Sequence, residues 1–380
     1  MTSKINVASI IDSVKLKDGG PSHSLADMAK SNFNNNIKHD IIHLGKNSKY
    51  KYSKNIKYIG LNNRFFKYGF SIKLIFWLIK NRKKYHKFFI HGLWQFQTLI
   101  ARIILKKKYH VFTHGMLDPY FGKEKTKTLK KKIYWFLFER GNLIKSNSVL
   151  VNSEEEINHL KKTFVDTNGI KIKKVNYGII KPKLNLSKLR LLKKHPYLKG
   201  HKYMLFIGRI DPKKGLDLLI NAFSKINVKK NYYLVLSGPI ENKKYKEKID
   251  KLIISKNLKN KIIFTGFVQG NDKWNLIKFS EFTILPSYGE NFGVSVVESL
   301  SVGKPVIISN KVGISKIIKK FSCGLVHQLN VNSLKRSIER LLSISHEKKN
   351  KLSKQALICF DKNYNLKINN SFSLWIKNNL

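Results

Sequence analysis

Short apolar runs bounded by Gly, Asn or Pro alternate with longer stretches of helical periodicity from one end of the chain to the other. No other feature limits the fold as much. Runs of this length read as strands buried on both faces, and the helical stretches between them are the crossovers that parallel strands require. The first half offers strands at Ile5–Ile11, His39–Leu44, Phe88–His91, His110–His114 and Ser148–Asn152. The second half offers Tyr203–Ile207, Tyr233–Ser237, Ile262–Thr265, Phe282–Leu285 and Pro305–Ile308. After Asn152, the run Ser153-Glu-Glu-Glu156 has the spacing of a capping box, which marks a turn from strand into helix.

Two such series imply two doubly wound, Rossmann-like α/β domains, and 380 residues suits two cores better than one. The expected division is an amino-terminal domain over 1–182, a linker over 183–202 and a second domain over 203–360. A final helix over 361–380 is expected to pack back on the first domain. The linker is placed in a basic stretch holding Pro182 and Pro196, ahead of the strand at Tyr203. Ligands of open parallel sheets bind outside the carboxyl ends of the strands, so two sheets are expected to face each other across a cleft that holds the site.

Charge narrows the partners. Lys and Arg number 74 against 23 Asp and Glu, a formal net charge of +51. Such a surface favours something anionic: a nucleic acid, an anionic membrane or a phosphorylated small substrate. A composition rich in Lys and Asn without any selection for binding is the alternative reading of the same excess. The two cysteines, Cys323 and Cys359, form neither a CxxC pair nor a zinc-spaced cluster with histidine, so neither a disulfide framework nor a metal site is expected. The apolar run Ile5–Ile11 stops at Asp12, and Phe65 to Ile79 is interrupted by Lys67 and Lys73; neither reads as a spanning helix.

The sharpest chemical feature runs from Pro286 to Gly303, directly after an expected strand. Gly293 near the start of a helix lets a ligand approach backbone amides that have no intrahelical partner, which makes a phosphate seat. Glu298, one turn on from Val294, then stands where ribose hydroxyls would reach it, and Glu290 precedes the helix where a sugar ring would lie. Gly208-Arg-Ile-Asp-Pro-Lys-Lys-Gly215 follows the first strand of the second half, and Arg209 and Lys214 form a clamp for a diphosphate. No Asp-x-Asp occurs, so cationic side chains take the place of the divalent ion that such a pair would hold.

These segments resemble the retaining GT-B glycosyltransferases of the large family numbered four. The likeness extends to Asp18-Gly-Gly20, Phe112-Thr-His-Gly-Met-Leu-Asp-Pro-Tyr120, Val151-Asn-Ser153, Asn176-Tyr-Gly178, Leu236-Ser-Gly238-Pro239 and Phe264-Thr-Gly-Phe267, in the family's order. The resemblance implies transfer of a sugar from a nucleotide-sugar donor to a hydroxyl with retention of configuration and no metal or other cofactor. It puts Arg209, Lys214, Glu290 and His114 in catalytic positions. It gives donor contacts to Gly20, Gly208, Glu298, Val294 and the backbone from Asn291 through Phe292 to Gly293, with His91 a looser candidate beside His114. A glycan or lipid-linked acceptor in a bacterial surface-polysaccharide pathway is implied.

Basic clusters at Lys80–Lys87, Arg102–Lys108 and Lys123–Lys132 surround the aromatic stretch holding Phe65, Phe66, Phe70, Ile75, Phe76 and Trp77. They read either as a core beneath a solvated lysine face or as an interfacial surface, which would make a cytoplasmic protein peripheral on the inner leaflet. A nucleic-acid-binding protein is the rival from another class, but no helix-turn-helix, zinc or RNP pattern is present and nucleic acid is not expected as a partner. An inactive scaffold of the same fold is the second rival, and it would be expected to have lost one of Arg209, Lys214, Glu290 or Glu298.

Overall fold

The computed structural model describes every residue except 1–4, 16–19, 46–55, 118–124, 164–166, 176, 183–184 and 228–231. The chain divides into two compact units, one of Met1–Ile180 with Leu366–Leu380, the other of Lys181–Asn365.

The first unit is built on β1 (Ile5–Ile11), β2 (Ile37–His43), β3 (Tyr58–Gly60), β4 (Lys87–His91), β5 (Tyr109–Phe112), β6 (Ser148–Val151) and β7 (Ile172–Lys174). All pair in parallel, in the order β3-β2-β1-β4-β5-β6-β7. The second unit has β8 (Lys202–Ile207), β9 (Tyr232–Ser237), β10 (Ile262–Gly266), β11 (Thr283–Leu285), β12 (Val306–Ser309) and β13 (Gly324–His327), also parallel, in the order β10-β9-β8-β11-β12-β13. Each order reverses beside its first strand, between β1 and β4 and between β8 and β11. These are the switch points where helices leave opposite faces and open a crevice. The central strands are buried on both faces: Val7, Ala8, Ser9 and Ile10 in one sheet, and Met204, Leu205, Phe206 and Leu234 in the other, are fully buried.

Strands β3, β7 and β13 are additional to the expected ones. Each lies at or beside a sheet edge and is only partly buried, so it carries no continuous apolar run to betray it. The expected strand His110–His114 ends two residues early. His114 sits in a turn with φ 49°, closed by the hydrogen bond from Met116 N–H to the Thr113 carbonyl (3.0 Å).

Much of the stretch read as a linker is folded onto the second unit. Ser187 caps the helix Lys188–Lys194 by accepting from Arg190 N–H (3.3 Å), and Asp272 binds both Lys194 (2.8 Å) and His195 (3.0 Å). Leu191 and Leu198 are its only buried apolar anchors among the described residues, too few to show periodicity among so many lysines. At the other end, helix His346–Asn363 belongs to the second unit, and the short helix Ser371–Asn378 completes the first. There Phe372 packs on Phe89 (5.2 Å between ring centroids) and Phe112 (5.8 Å).

Candidate functional site

In the second unit, the loops that leave β8, β9 and β11 meet backbone to backbone. Gly215 has φ +69°, and a Cβ there would lie 2.3 Å from the Pro286 carbonyl oxygen; one on Gly238 would lie 1.8 Å from that of Gly208. Only glycine allows this approach. Asp211 caps the turn Pro212–Lys214 by accepting from Lys213 N–H (2.9 Å). Tyr288 joins the two loops, donating its amide to the Lys213 carbonyl (2.8 Å) and its hydroxyl to Asp217 (3.0 Å). Gly208 is thereby fixed at the β8–β9 junction and Lys214 at the mouth of the crevice.

Glu290 is fixed by its backbone as well as its charge. Its N–H donates to the Lys311 carbonyl (3.0 Å), its carbonyl accepts from Gly313 N–H (2.8 Å), and its carboxylate forms an ion pair with Lys214. Burial by itself would raise the carboxyl pKa, but Lys214, Lys213 and Arg209 outweigh it, and the group titrates below the ordinary carboxylate range. Arg209 reaches Glu241 at 2.6 Å near the surface. Both cations of the expected clamp thus hold carboxylates, and an ammonium with three donors keeps capacity beyond Glu290.

Gly293, in the left-handed conformation, begins helix Val294–Ser301. The first amides of that helix have no acceptor within it, and they carry its positive end. Asn291 and Val294 are half-buried beside this terminus. Phe292 is buried edge-on against Tyr364 (5.5 Å), so its backbone, not its ring, is what a ligand would meet. Glu298 is buried one turn into the helix, and Lys273 of helix Gly270–Phe279 bonds its Oε1 at 2.6 Å. Sequence reasoning missed Lys273, one lysine among many; its only signal is adjacency to Trp274, whose ring it also faces (5.2 Å).

In the first unit, His114 follows β5 in a loop braced from an unexpected quarter. The Glu156 carboxylate accepts from the Thr113 hydroxyl, from Gly115 N–H (2.7 Å) and from Asn152 N–H (3.0 Å). Ser153 does cap the helix at Glu156 N–H (3.1 Å), while the Glu156 side chain serves the His114 loop and Asn152 N–H. His114 bonds His91 (2.9 Å), and burial lowers its pKa to about 4, so the imidazole is neutral. Gly20 is the first residue of helix Gly20–Asn34. Asp18, Gly19, Asn176 and 118–120 of the quoted motifs lie outside the described residues. Among the described residues no group of three or more His, Cys, Asp or Glu side chains could hold a metal ion.

Several large apolar side chains of the first unit are exposed. Phe66 at the tip of the Phe65–Phe70 turn is 82% exposed, Phe76 68%, Phe136 71% and Leu137 63%. The Tyr68–Tyr134 hydrogen bond (2.8 Å) ties the turn to helix Lys125–Tyr134, and Phe138 packs on Tyr134. Of the apolar residues named from sequence, Phe70, Ile75 and Trp77 pack on the core; exposure of Leu129, Ile133 and Phe136 to Phe138 was not foreseen. Among the described helices none is long and apolar enough to cross a membrane.

Comparison with known proteins agrees with this architecture. Residues 188–357 match the family described as Glycosyl transferases group 1. An uncharacterized glycosyltransferase of Methanocaldococcus jannaschii is 33% identical over 143 residues, 37% of this chain and 36% of that protein's length. A protein of the cps region of Klebsiella pneumoniae is 25% identical over 263 residues, 67% of this chain and 70% of its own. The structure of Anabaena HepE in complex with UDP-glucose superposes with a TM-score of 0.78 at 16% identity, covering 99% of this chain and 100% of that one. The fold is that of the GT-B glycosyltransferases, two parallel-sheet α/β domains.

Proposed function

We propose that the chain transfers a sugar from a nucleoside diphosphate donor to a hydroxyl acceptor, with retention of anomeric configuration and without a metal ion. The observation that carries this reading is the arrangement at the β8–β11 switch point, where Lys214, Glu290 and the helix terminus at Gly293 are held together by glycines that admit no side chain. The Glycosyl transferases group 1 match covers these residues and supports it. Negative charge grows on the leaving phosphate as the glycosidic bond breaks. The Lys214 ammonium, Arg209 and the amides at Gly293 and Val294 stabilise that charge where it develops. Glu298 accepts hydrogen bonds from ribose hydroxyls through the oxygen that Lys273 does not occupy, and Glu290 faces the sugar. His114 and Gly20 are the catalytic and donor-binding candidates of the first unit. The binding of UDP-glucose by the Anabaena neighbour supports a nucleotide-sugar donor, and the cps-region relative supports surface-polysaccharide assembly.

The exposed apolar face, flanked by Lys67, Lys73, Lys80, Lys130 and Lys132, supports a peripheral site on an anionic bilayer, where each basic residue contributes about 1 kcal/mol. A lipid-linked acceptor would be met there.

The test is a panel of UDP-, GDP- and ADP-sugars, read by thermal shift and by release of the nucleoside diphosphate. One class should raise the melting temperature, by about 2.7 kcal/mol of added stability at a hundredfold excess over Kd. EDTA should leave turnover intact. No shift with any member, or activity lost to chelator and restored by manganese, refutes the reading.

A further inference from the structure

A row of polar side chains crosses the interior of the first unit, where apolar residues would otherwise pack. Ser9, His39 and His91 lie on β1, β2 and β4 and are all buried. Register pairs Ser9 with Ile41 on one side and Phe89 on the other. His39 therefore stands two residues before one partner and His91 two residues after the other, and a period of two keeps all three on one face. His114, two residues past the partner of His91, extends the same diagonal beyond the carboxyl edge of the sheet.

The hydrogen bonds follow this diagonal. Asn32 Nδ2 lies 2.8 Å from His39 Nδ1, His39 Nε2 2.8 Å from Ser9 Oγ, Ser9 Oγ 3.0 Å from His91 Nε2, and His91 Nδ1 2.9 Å from His114 Nε2. At the inner end Ser373, in the carboxyl-terminal helix, donates its hydroxyl to Asn32 Oδ1 (2.7 Å).

One member sets the direction of all the others. The amide nitrogen of Asn32 can only donate, so His39 Nδ1 accepts and the His39 proton resides on Nε2. That proton goes to Ser9 Oγ, which turns the Ser9 hydroxyl toward His91 Nε2. His91 then carries its proton on Nδ1 and donates to His114 Nε2. The sequence of donors requires neutral rings. Burial supplies them: it lowers His39 to about 3 and His114 to about 4, and it lowers His91 well below its ordinary value.

We propose that Asn32, His39, Ser9 and His91 are positioning residues that fix His114 as the neutral imidazole protonated at Nδ1, and that Ser373 ties this setting to the carboxyl-terminal helix. With Nε2 engaged by His91, the ring position left for a ligand is an N–H. Toward substrate, His114 is then a hydrogen-bond donor and not a proton acceptor. This last step rests on the reading of His114 as a catalytic residue; the fixed tautomer does not.

Ring-nitrogen NMR on the full chain labelled with 15N-histidine tests it. His39 should show the Nε2–H pattern and His91 and His114 the Nδ1–H pattern, unchanged across the range where an ordinary histidine titrates. Ser9→Ala cuts the row. His39 should keep its tautomer while His91 and His114 become mixtures, and kcat should fall roughly tenfold at unchanged donor KM. Ser9→Thr, which restores the hydroxyl, should recover both readings. Ser373→Ala perturbs the opposite end and should loosen the His39 assignment first. The reverse order of tautomers, a protonated ring at neutral pH, or an unchanged His114 signal in folded Ser9→Ala overturns the proposal. A changed tautomer with unchanged kinetics upholds the relay and removes His114 from the chemistry instead.

Discussion

Replacing Lys214 with Met removes the cation on which Glu290 depends, and a double-mutant cycle with Glu290→Gln isolates that dependence. The two side chains are 13% and 21% exposed, which puts the pair between two regimes. A fully buried pair broken from one side costs about 3–5 kcal/mol, an exposed one about 0.2–1 kcal/mol. The coupling expected here is about 2 kcal/mol at neutral pH. Its pH dependence follows from the sign of the shift. The folded-state pKa of Glu290 is depressed, so its stabilisation is fully present above the unfolded-state value of about 4.3 and is lost as the pH falls through the folded-state value. In Lys214→Met the burial penalty faces only Lys213 and the more distant Arg209. The carboxyl pKa should rise, and the variant should lose stability relative to the parent chiefly as the pH climbs through that window. Urea unfolding of the four proteins, followed by circular dichroism at several pH values, gives the coupling directly. A coupling below about 0.3 kcal/mol at neutral pH, or one unchanged down to the acid limit of the folded state, would refute the argument.

Glu298→Ala should weaken nucleotide binding by about 1.5–3 kcal/mol in calorimetry; because it also strands the Lys273 ammonium, Glu298→Gln is the cleaner variant for affinity, and unchanged affinity in both would exclude the ribose contact. Gly215→Ala should lower stability by well over the roughly 1–3 kcal/mol of left-handed strain, because its Cβ meets the Pro286 carbonyl oxygen, whereas Gly200→Ala, with φ +76° and nothing within 4 Å, should show the strain alone; equal melting-temperature losses would show that the close approach carries no weight. The protein should pellet with anionic but not neutral vesicles and release as salt rises, and Phe66→Asp with Phe136→Asp should abolish pelleting without changing the melting temperature; pelleting that ignores lipid charge, or survives both substitutions, rules out the proposed face.

Local patterns in the sequence determined the fold class, most of the central strands and the two loops of the proposed nucleotide site. An apolar run such as Tyr203–Ile207 declares a buried parallel strand without knowledge of its neighbours, and Gly293 before Val294 declares a helix start open to an anion. The tertiary structure alone decided which charges meet. Lys214 finds Glu290 across 76 residues, Lys273 finds Glu298 across 25, and Glu156 reaches the His114 loop across 43, in a chain whose many lysines give each pairing no distinctive local mark. It also decided β3, β7 and β13, whose partial burial leaves no continuous apolar run, and the helix at Lys188–Lys194, held by contacts with Asp272 and Asn275. The row from Asn32 to His114 is the clearest case. From His39 through Ser9 and His91 to His114 its members stand more than 20 residues apart and become neighbours only because the strand order places β2, β1, β4 and β5 side by side in parallel register, and strand order is set by how crossovers pack, which no local periodicity records.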